Sequence, residues 1–386
     1  MPPPLRILHL VLGSEPGGLS RYVIDLTRAM RDLGHEITVA GDRGDAHALF
    51  DRERINWIDI PLKGGLVAFF KSASILKRHL HEHPVDVIHT HYRRATLLAR
   101  RVQLHAGGRR GAAPDHARYR VPILYTLHLS HININGPRRW LTDFGDHTHA
   151  PSEDGRQWLL NAARVPDEQI TLIPHGVEVA RYPVADLEAK CAAKRALGVD
   201  ERALVASYVG RFENPKNESW VLDLACATRA QFPNLHFVMV GGGPNEPALR
   251  DRIDSENLHD RVHPFGHRDD TPTVYAATDL LLLPSAREGF SLVCAEAMSV
   301  GVPVLRTRTS GMAETVVENV TGRSVPIDHD AFLNAAVVML SDREALARMG
   351  AAAARHVREH LTFDRQLAET VALYNRLANP DPSQGR

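Results

Sequence analysis

Leu280-Leu281-Leu282-Leu283-Pro284-Ser285-Ala286-Arg287-Glu288-Gly289-Phe290-Ser291-Leu292-Val293-Cys294-Ala295-Glu296-Ala297-Met298 decides how this chain is to be folded. A run of leucines closed by a proline reads as a strand buried on both faces, the pattern of a parallel sheet. Glu288-Gly289-Phe290 then opens a segment of good helix formers that ends near Gly301-Val302-Pro303. Glycine at a strand-to-helix turn lets backbone amides approach a phosphate closely, and the helix N-terminus favours its charge. Glu288 is expected just before that helix. Glu296 is expected about two turns inside it, up to roughly 12 Å along the axis. Alone, two glutamates at this spacing are more often solvated surface charges than ligands.

The same alternation extends outward in both directions. Leu5 to Leu12 reads as a buried strand, followed by the loop Gly13-Ser14-Glu15-Pro16-Gly17-Gly18. Leu19, Tyr22, Val23, Leu26 and Met30 then recur at helical spacing, with Gly34 placed as a C-terminal cap. Further strands are expected at Glu36–Ala40, Asn56–Ile60, Asp86–Thr90, Pro122–Leu127 and Ile170–Ile173. The pattern restarts after Pro174-His175-Gly176-Val177, with a helix over Asp186–Leu197. Strands follow at Ala203–Val209, Phe237–Val240, Val262–Phe265, Leu280–Leu283 and Pro303–Leu305. This order predicts an α/β protein of two doubly wound parallel-sheet domains facing a central cleft. The expected divisions are 1–178, 179–362, a helix over 363–379 packing back on the first domain, and a frayed tail over 380–386. Ligands of such sheets bind outside the carboxyl ends of the strands. Ala106–Arg120 and Ser130–Arg139 read as exposed loops.

Bulk composition narrows the function. The 386 residues exceed a usual single core, in keeping with two domains. The 46 basic and 46 acidic side chains balance, so no global field draws the chain to nucleic acid. Cys191, Cys226 and Cys294 form no CxxC pair, which argues against disulfides or a zinc site and for a reducing cytoplasm. No signal peptide and no membrane span are expected.

The segment from Glu288-Gly289-Phe290 through Glu296-Ala297-Met298, Gly301-Val302-Pro303-Val304 and Ser310-Gly311-Met312-Ala313-Glu314 resembles the Glu-x7-Glu motif of retaining glycosyltransferases of family 4. Members of that family have the GT-B fold, two Rossmann-like domains. Val209-Gly210-Arg211-Phe212 followed by Lys216 resembles the family's Gly-Arg…Lys segment. The resemblance covers nearly the whole chain. It implies transfer of a hexose-type sugar from a nucleotide diphosphate sugar, with UDP as the family-level nucleotide, to an acceptor hydroxyl. It further implies retention by front-face substitution and no metal or other cofactor. By resemblance, Arg211 and Lys216 contact the diphosphate, while Glu288 and Glu296 clamp the sugar and the ribose. Gly289, Phe290, Ser291 and Leu292 line the donor at the helix start. Gly266 and His267 lie by the base. Gly17 and Gly18 pass close to the sugar and diphosphate, and His128 lies beside the reacting sugar. The family usually has glycine where this chain has Asn217, a residue that tolerates the left-handed geometry such a turn needs. Gly241-Gly242-Gly243 is read as a structural turn.

His79, His81, His83, His89 and His91 crowd one stretch, but no cysteine and few acids accompany them, so a metal site is the minority reading. His91, at a strand end, is instead placed with Tyr92 and Arg93 at the acceptor site. From Ile88 to Arg139 the chain carries Arg93, Arg94, Arg100, Arg101, Arg109, Arg110, Arg118, Arg120, Arg138 and Arg139 against one acid, Asp115. This is either a solvated basic face or an attraction for an anionic or lipid-linked acceptor, with peripheral association at a membrane surface. A nucleotide-sugar epimerase or hydrolase of the same fold and a non-catalytic sugar-nucleotide sensor are the rival functions.

Overall fold

The computed structural model describes residues 3–103, 120–134, 136 and 142–380. The loop expected at Ala106–Arg120, except Arg120 itself, and most of the Ser130–Arg139 loop's second half lie outside the described residues, as does the tail beyond Pro380. The chain divides into two compact units. The first comprises Met1–Pro151, Gly155–Ile173 and Gln366–Arg386, and the second Ser152–Asp154 and Pro174–Arg365.

In the first unit, seven parallel strands form one sheet: β1 (Arg6–Gly13), β2 (Glu36–Asp42), β3 (Asn56–Asp59), β4 (Val87–Thr90), β5 (Ile123–Thr126), β6 (His147–Ala150) and β7 (Ile170–Leu172). Their order is β3-β2-β1-β4-β5-β6-β7. The second unit has six parallel strands: β8 (Leu204–Val209), β9 (Leu235–Val240), β10 (Val262–Gly266), β11 (Leu280–Leu283), β12 (Val304–Thr307) and β13 (Gly322–Val325). Their order, β10-β9-β8-β11-β12-β13, repeats the same winding. Each sheet therefore reverses direction once, between β1 and β4 and between β8 and β11. Such reversals leave room for a ligand at the carboxyl ends of the strands.

The leucine run shows why the sequence folds this way. Leu281 and Leu283 enter one core with Val205, Met298 and Val357, while Leu280 and Leu282 enter the other with Phe237 and Phe332. Period-two alternation delivers apolar side chains to both faces, and each fully buried leucine contributes about 1.5–3 kcal/mol. The helix that follows runs from Leu292 to Val300, capped by the Ser291 hydroxyl and closed by Gly301 at φ 97°. Glu288 thus lies four residues upstream of the helix rather than at its threshold, because Gly289 and Phe290 remain in the loop. The axial span expected between the two glutamates does not apply to this irregular segment. The C-terminal helix Phe363–Ala378 contributes Leu373, Tyr374 and Ala378 to the first unit's core beside Leu5, Val23 and Val87.

Two strands escape the hydrophobic pattern. His147-Thr148-His149-Ala150 is fully buried as β6 although polar, since its side chains find partners. Thr148 Oγ1 donates to the Phe144 carbonyl at 2.9 Å, and the His147 ring meets Thr171 Oγ1 at 2.7 Å. Gly322-Arg323-Ser324-Val325 forms the edge strand β13, where Ser324 N and Oγ both donate to Glu318 Oε2 at 3.0 Å.

Two of the three glycines after β9, Gly241 and Gly243, are forced by backbone approach. Gly241 sits at φ 145°, and a Cβ there would lie 1.8 Å from the Gly210 carbonyl oxygen. At Gly242 a Cβ would meet only the Glu246 carboxylate, at 3.4 Å. Gly241→Ala is expected to cost about 3 kcal/mol or more, combining strain with overlap. Gly242→Ala should stay within about 1 kcal/mol. Urea denaturation of the two variants checks the contrast.

Candidate active site

The second unit's switch point builds a compact set of charged groups. β11 pairs with β8 at Leu280–Ala206 and Leu281–Ser207, so the loops leaving both strands start side by side. They are tied together by Ala286 N donating to the Pro215 carbonyl at 2.7 Å and Asn217 Nδ2 donating to the Pro284 carbonyl at 2.9 Å. Asn217 has φ 53°, the left-handed geometry expected where glycine is usual. This frame brings Lys216 Nζ within 2.7 Å of Glu288 Oε1. Both side chains are largely shielded, at 26% and 10% exposure, which strengthens their attraction relative to a surface pair. Arg211 stays outside this pair: it is half-exposed and held by Glu213 at 2.9 Å. The Tyr208 hydroxyl donates to the Arg211 carbonyl at 2.8 Å and fixes the backbone there.

Glu296 accepts a hydrogen bond from the buried Tyr275 hydroxyl at 2.8 Å. Burial, with the Glu296 charge next, drives the Tyr275 phenol far above its ordinary range, so it remains a donor. Phe290 is buried edge-on to His175 at 5.4 Å. Gly289 and Phe290 press against Gly311, where a Cβ would come within 2.8 Å of Phe290 Cα. Ser291 and Leu292 start the helix, and Gly266 turns at φ 68° with its carbonyl accepting from Gly241 N at 2.8 Å. His267 is mostly exposed beside Asp269.

One residue of this region is not marked by the motif-based reading. Arg306, on β12, is fully buried. Its guanidinium donates to the Gly311 and Ser310 carbonyls at 3.0 and 2.9 Å, and to Thr315 and Thr309 hydroxyls at 2.9 Å each. It therefore shapes the Ser310-Gly311 loop that backs Phe290. A lone arginine between buried strand residues was the available signal. Glu314 closes the far side: it accepts from Glu153 N at 2.6 Å, and burial raises its pKa.

In the first unit, Gly17 (φ 141°) precedes the helix Gly18–Asp32, whose start has no side-chain cap among the described residues. Arg21 is engaged by Asp25 on its own helix at 3.1 Å. Tyr92 is exposed at the start of the helix Arg93–Val102, and Arg93 donates to the Asn133 carbonyl and to Thr142 Oγ1 at 3.3 and 3.2 Å. His91, also expected at the acceptor site, does not reach the surface. It is buried, with its ring nitrogens 2.9 Å from His9 Nδ1 and from His128 Nε2. Strand alternation at the sheet centre turns it inward.

The arginine excess is also smaller in three dimensions. Arg100 pairs with Asp143 and Asp146 at 2.7 and 2.6 Å, and Arg120 with Asp146 at 3.2 Å. Both acids lie just past the arginine-rich stretch in sequence. Arg94 stacks over Phe69 at 5.8 Å. Arg109, Arg110, Arg118, Arg138 and Arg139 lie outside the described residues. A recess of about 660 Å³ lined by Arg6, Glu36 and Asn56 opens at the amino ends of β1, β2 and β3, the edge opposite to where such sheets bind ligands.

Known proteins agree with this architecture. Residues 190–356 match the family described as Glycosyl transferases group 1, and residues 16–181 match Glycosyltransferase Family 4. The D-inositol 3-phosphate glycosyltransferase of Thermobispora bispora is 27% identical over 379 residues, covering 89% of this chain and 86% of the relative. The lipopolysaccharide core biosynthesis mannosyltransferase LpsB of Rhizobium meliloti is 30% identical over 216 residues, covering 54% of this chain and 61% of the relative. Among solved structures, Anabaena HepE in complex with UDP and glucose superimposes with a TM-score of 0.78 at 22% identity, covering 95% of this chain and 99% of the other. Sucrose-phosphate synthase from Thermosynechococcus elongatus gives 0.77 at 20% identity, covering 97% and 99%. Two doubly wound domains of this order define a GT-B protein. The chain belongs to glycosyltransferase family 4.

The buried histidines make stability pH-dependent in a definite direction. Burial lowers His9 to about 3, and His147 and His149 to about 4, and holds His89 and His91 well below their ordinary value. Below pH 6.5 the unfolded chain takes up protons that the folded chain refuses. Stability should therefore fall as pH drops from about 6.5 toward 4, by up to about 1.4 kcal/mol per pH unit for each such ring. Melting temperatures across that range check this, and a flat profile would contradict neutral buried rings.

Proposed function

We propose that this glycosyltransferase moves a hexose from a nucleotide diphosphate sugar, with UDP as the nucleotide, to an acceptor hydroxyl with retention of configuration. The observation that carries this is the Lys216–Glu288 pair at the carboxyl ends of β8 and β11, where a doubly wound sheet presents its ligand site. In this proposal Lys216 and Arg211 face the diphosphate and supply the positive charge that a departing nucleotide needs, without a metal ion. Glu288 releases part of its hold on Lys216 to accept hydrogen bonds from sugar hydroxyls, while Glu296, positioned by Tyr275, accepts from the ribose. Gly17, Gly18 and His128 are assigned to the sugar end of the donor, and Gly266 and His267 to the base.

Among the described residues no carboxylate is identified as a nucleophile for double displacement. We assign front-face substitution because the resemblance to retaining family 4 enzymes implies it. The bond from the anomeric carbon to the phosphate oxygen breaks with its electron pair going to that oxygen. The acceptor oxygen attacks from the same face through an oxocarbenium-like state, and its proton passes to the departing phosphate. The products are the retained glycoside and the nucleoside diphosphate. NMR of the product's anomeric configuration tests this directly, and an inverted product would sink it. Lys216→Ala should cost about 2–4 kcal/mol of transition-state stabilisation in kcat/KM, and excess EDTA should leave turnover intact. Acceptor-free epimerised or hydrolysed sugar would favour the epimerase or hydrolase, and binding without turnover would favour a sensor.

For the acceptor, we favour an anionic or lipid-linked molecule. Relatives named for inositol 3-phosphate and for lipopolysaccharide core biosynthesis support this choice. So does the helix Leu66–Glu82, which exposes Leu66, Val67 and Phe70 at 78%, 85% and 56% next to the exposed Lys71. Apolar side chains beside lysine suit the interface of an anionic bilayer. No helix among the described residues is long and apolar enough to cross a membrane. The free thiols of Cys191, Cys226 and Cys294 fit a reducing cytoplasm, where we place the enzyme, peripheral to the membrane. Sedimentation with phosphatidylglycerol vesicles should pull down the protein. A Val67→Ser/Phe70→Ser variant should lose most of that binding, and neutral phosphatidylcholine vesicles should bind it weakly.

A further inference from the structure

At the amino edge of the first unit's sheet, three strands begin side by side. Arg6 opens β1, His35 immediately precedes β2, and Arg54 lies two residues before β3. β1 pairs Arg6 with Glu36, and β2 pairs Thr38 with Asn56, so the residues entering these strands are neighbours. Arg6, His35 and Arg54 all line the recess of about 660 Å³, together with Ile37, Ile55, Val85 and Trp57.

Several donors of this wall are unspent. The Arg6 side chain is only 12% exposed, yet its Nη2 has no hydrogen-bond partner among the described residues. Asp86 Oδ2 lies 3.7 Å from Arg6 Nε, beyond hydrogen-bonding distance. The Leu5 amide donates to His35 Nδ1 at 3.0 Å, so the neutral ring carries its proton on Nε2, which has no partner among the described residues. Burial lowers the His35 pKa and keeps the ring in that form. Thr27, also in the lining, is buried with its hydroxyl unpartnered among the described residues. Arg54 makes no side-chain hydrogen bond or ion pair among the described residues. It occupies the left-handed backbone region at φ 52°, where glycine would sit without strain.

Basic side chains at this edge of an α/β sheet often serve the helix C-termini that gather there, whose carbonyls carry partial negative charge. Arg31 is spent in that way. It lies in the last turn of the helix Gly18–Asp32 and donates to the Glu53 carbonyl, just past the helix His47–Arg52, at 2.7 Å. Arg6 and Arg54 are not spent so. Glu36 is the only acid among the described residues that line the recess.

We propose that the recess is a ligand site of its own, separate from the sugar-transfer site, and that it takes a small phosphate monoester with an apolar or aromatic body. A guanidinium presents parallel donors to a phosphate. A donor left unpaired in a shielded place gains most when an anion supplies the missing acceptor. The volume suits a small molecule rather than a bare ion. Ile37, Ile55 and Val85 offer nothing to a phosphate, so they select a non-polar body. The groups assigned to donor and acceptor follow the carboxyl ends of the strands, whereas this recess opens at the amino ends. Its occupant does not compete with the nucleotide, and the inference stands whatever sugar is transferred.

Isothermal titration of the full chain with phenyl phosphate, in the presence of excess UDP, tests the site. One saturable site is expected, with inorganic phosphate binding more weakly and phenol not at all. Arg6→Gln and Arg54→Gly should each weaken phenyl phosphate binding roughly tenfold, the loss of a hydrogen bond to a charged group. Arg54→Gly should do so without lowering the melting temperature, because glycine relieves the left-handed strain, so its lost affinity is separable from unfolding. Arg348→Gln, at an exposed position of the second unit, should leave binding unchanged. No saturable binding, binding seen only without UDP, inorganic phosphate held as tightly as phenyl phosphate, or full affinity in both Arg6→Gln and Arg54→Gly would overturn the proposal.

Discussion

The adjacency of β8 and β11 governs the geometry of the second unit's candidate site. Strands remote in sequence lie side by side because the sheet reverses its winding there, and no chain connection fills the gap at their carboxyl ends. The loops leaving them must turn apart. Lys216 comes from one loop and Glu288 from the other, and the two side chains meet only because the reversal has placed both loop origins together. Backbone ties from Pro215 and Pro284 hold the approach, and the glycines at 241 and 243 let neighbouring backbone pack close without side chains between. The loop containing Phe290 is braced from behind by Arg306, whose two terminal nitrogens donate to carbonyl and hydroxyl oxygens.

The first unit uses the same winding for a different interior. At its reversal, β4 ends in His89-Thr90 with His91 just beyond it, and the other strands supply His9, Thr126 and His149. Apolar residues would have buried this region more simply, since each polar ring must find a partner or cost stability. The rings instead satisfy one another, and the C-terminal helix provides the Tyr374 hydroxyl that closes the series. That helix therefore contributes polar order as well as apolar packing to the unit it rejoins.

Much of this architecture was legible in one dimension. Buried parallel strands with helices between them appear as short apolar runs at regular intervals, and the leucine run at 280–283 shows the principle most clearly. The polar strands β6 and β13 were not legible, because their burial is permitted by hydrogen-bond partners that lie elsewhere in the chain. The helix start at Leu292 was likewise obscured: Gly289 reads as a helix opening, but its contact with Gly311 keeps it in a loop. The arginine-rich stretch looked unbalanced until Asp143 and Asp146, outside it in sequence, folded onto Arg100 and Arg120.

By itself, the sequence determined the repeating α/β pattern, the two-part division and the motif residues around Glu288, because these depend on local periodicity and on short-range turn chemistry. Only the tertiary structure decided which charges meet. It paired Lys216 with Glu288, tied Arg211 to Glu213, and turned His91 inward into a histidine network. The physical reason is the same in each case. Side-chain partnerships are set by which strands lie adjacent, and adjacency in a sheet that reverses its winding is not a property of sequence order.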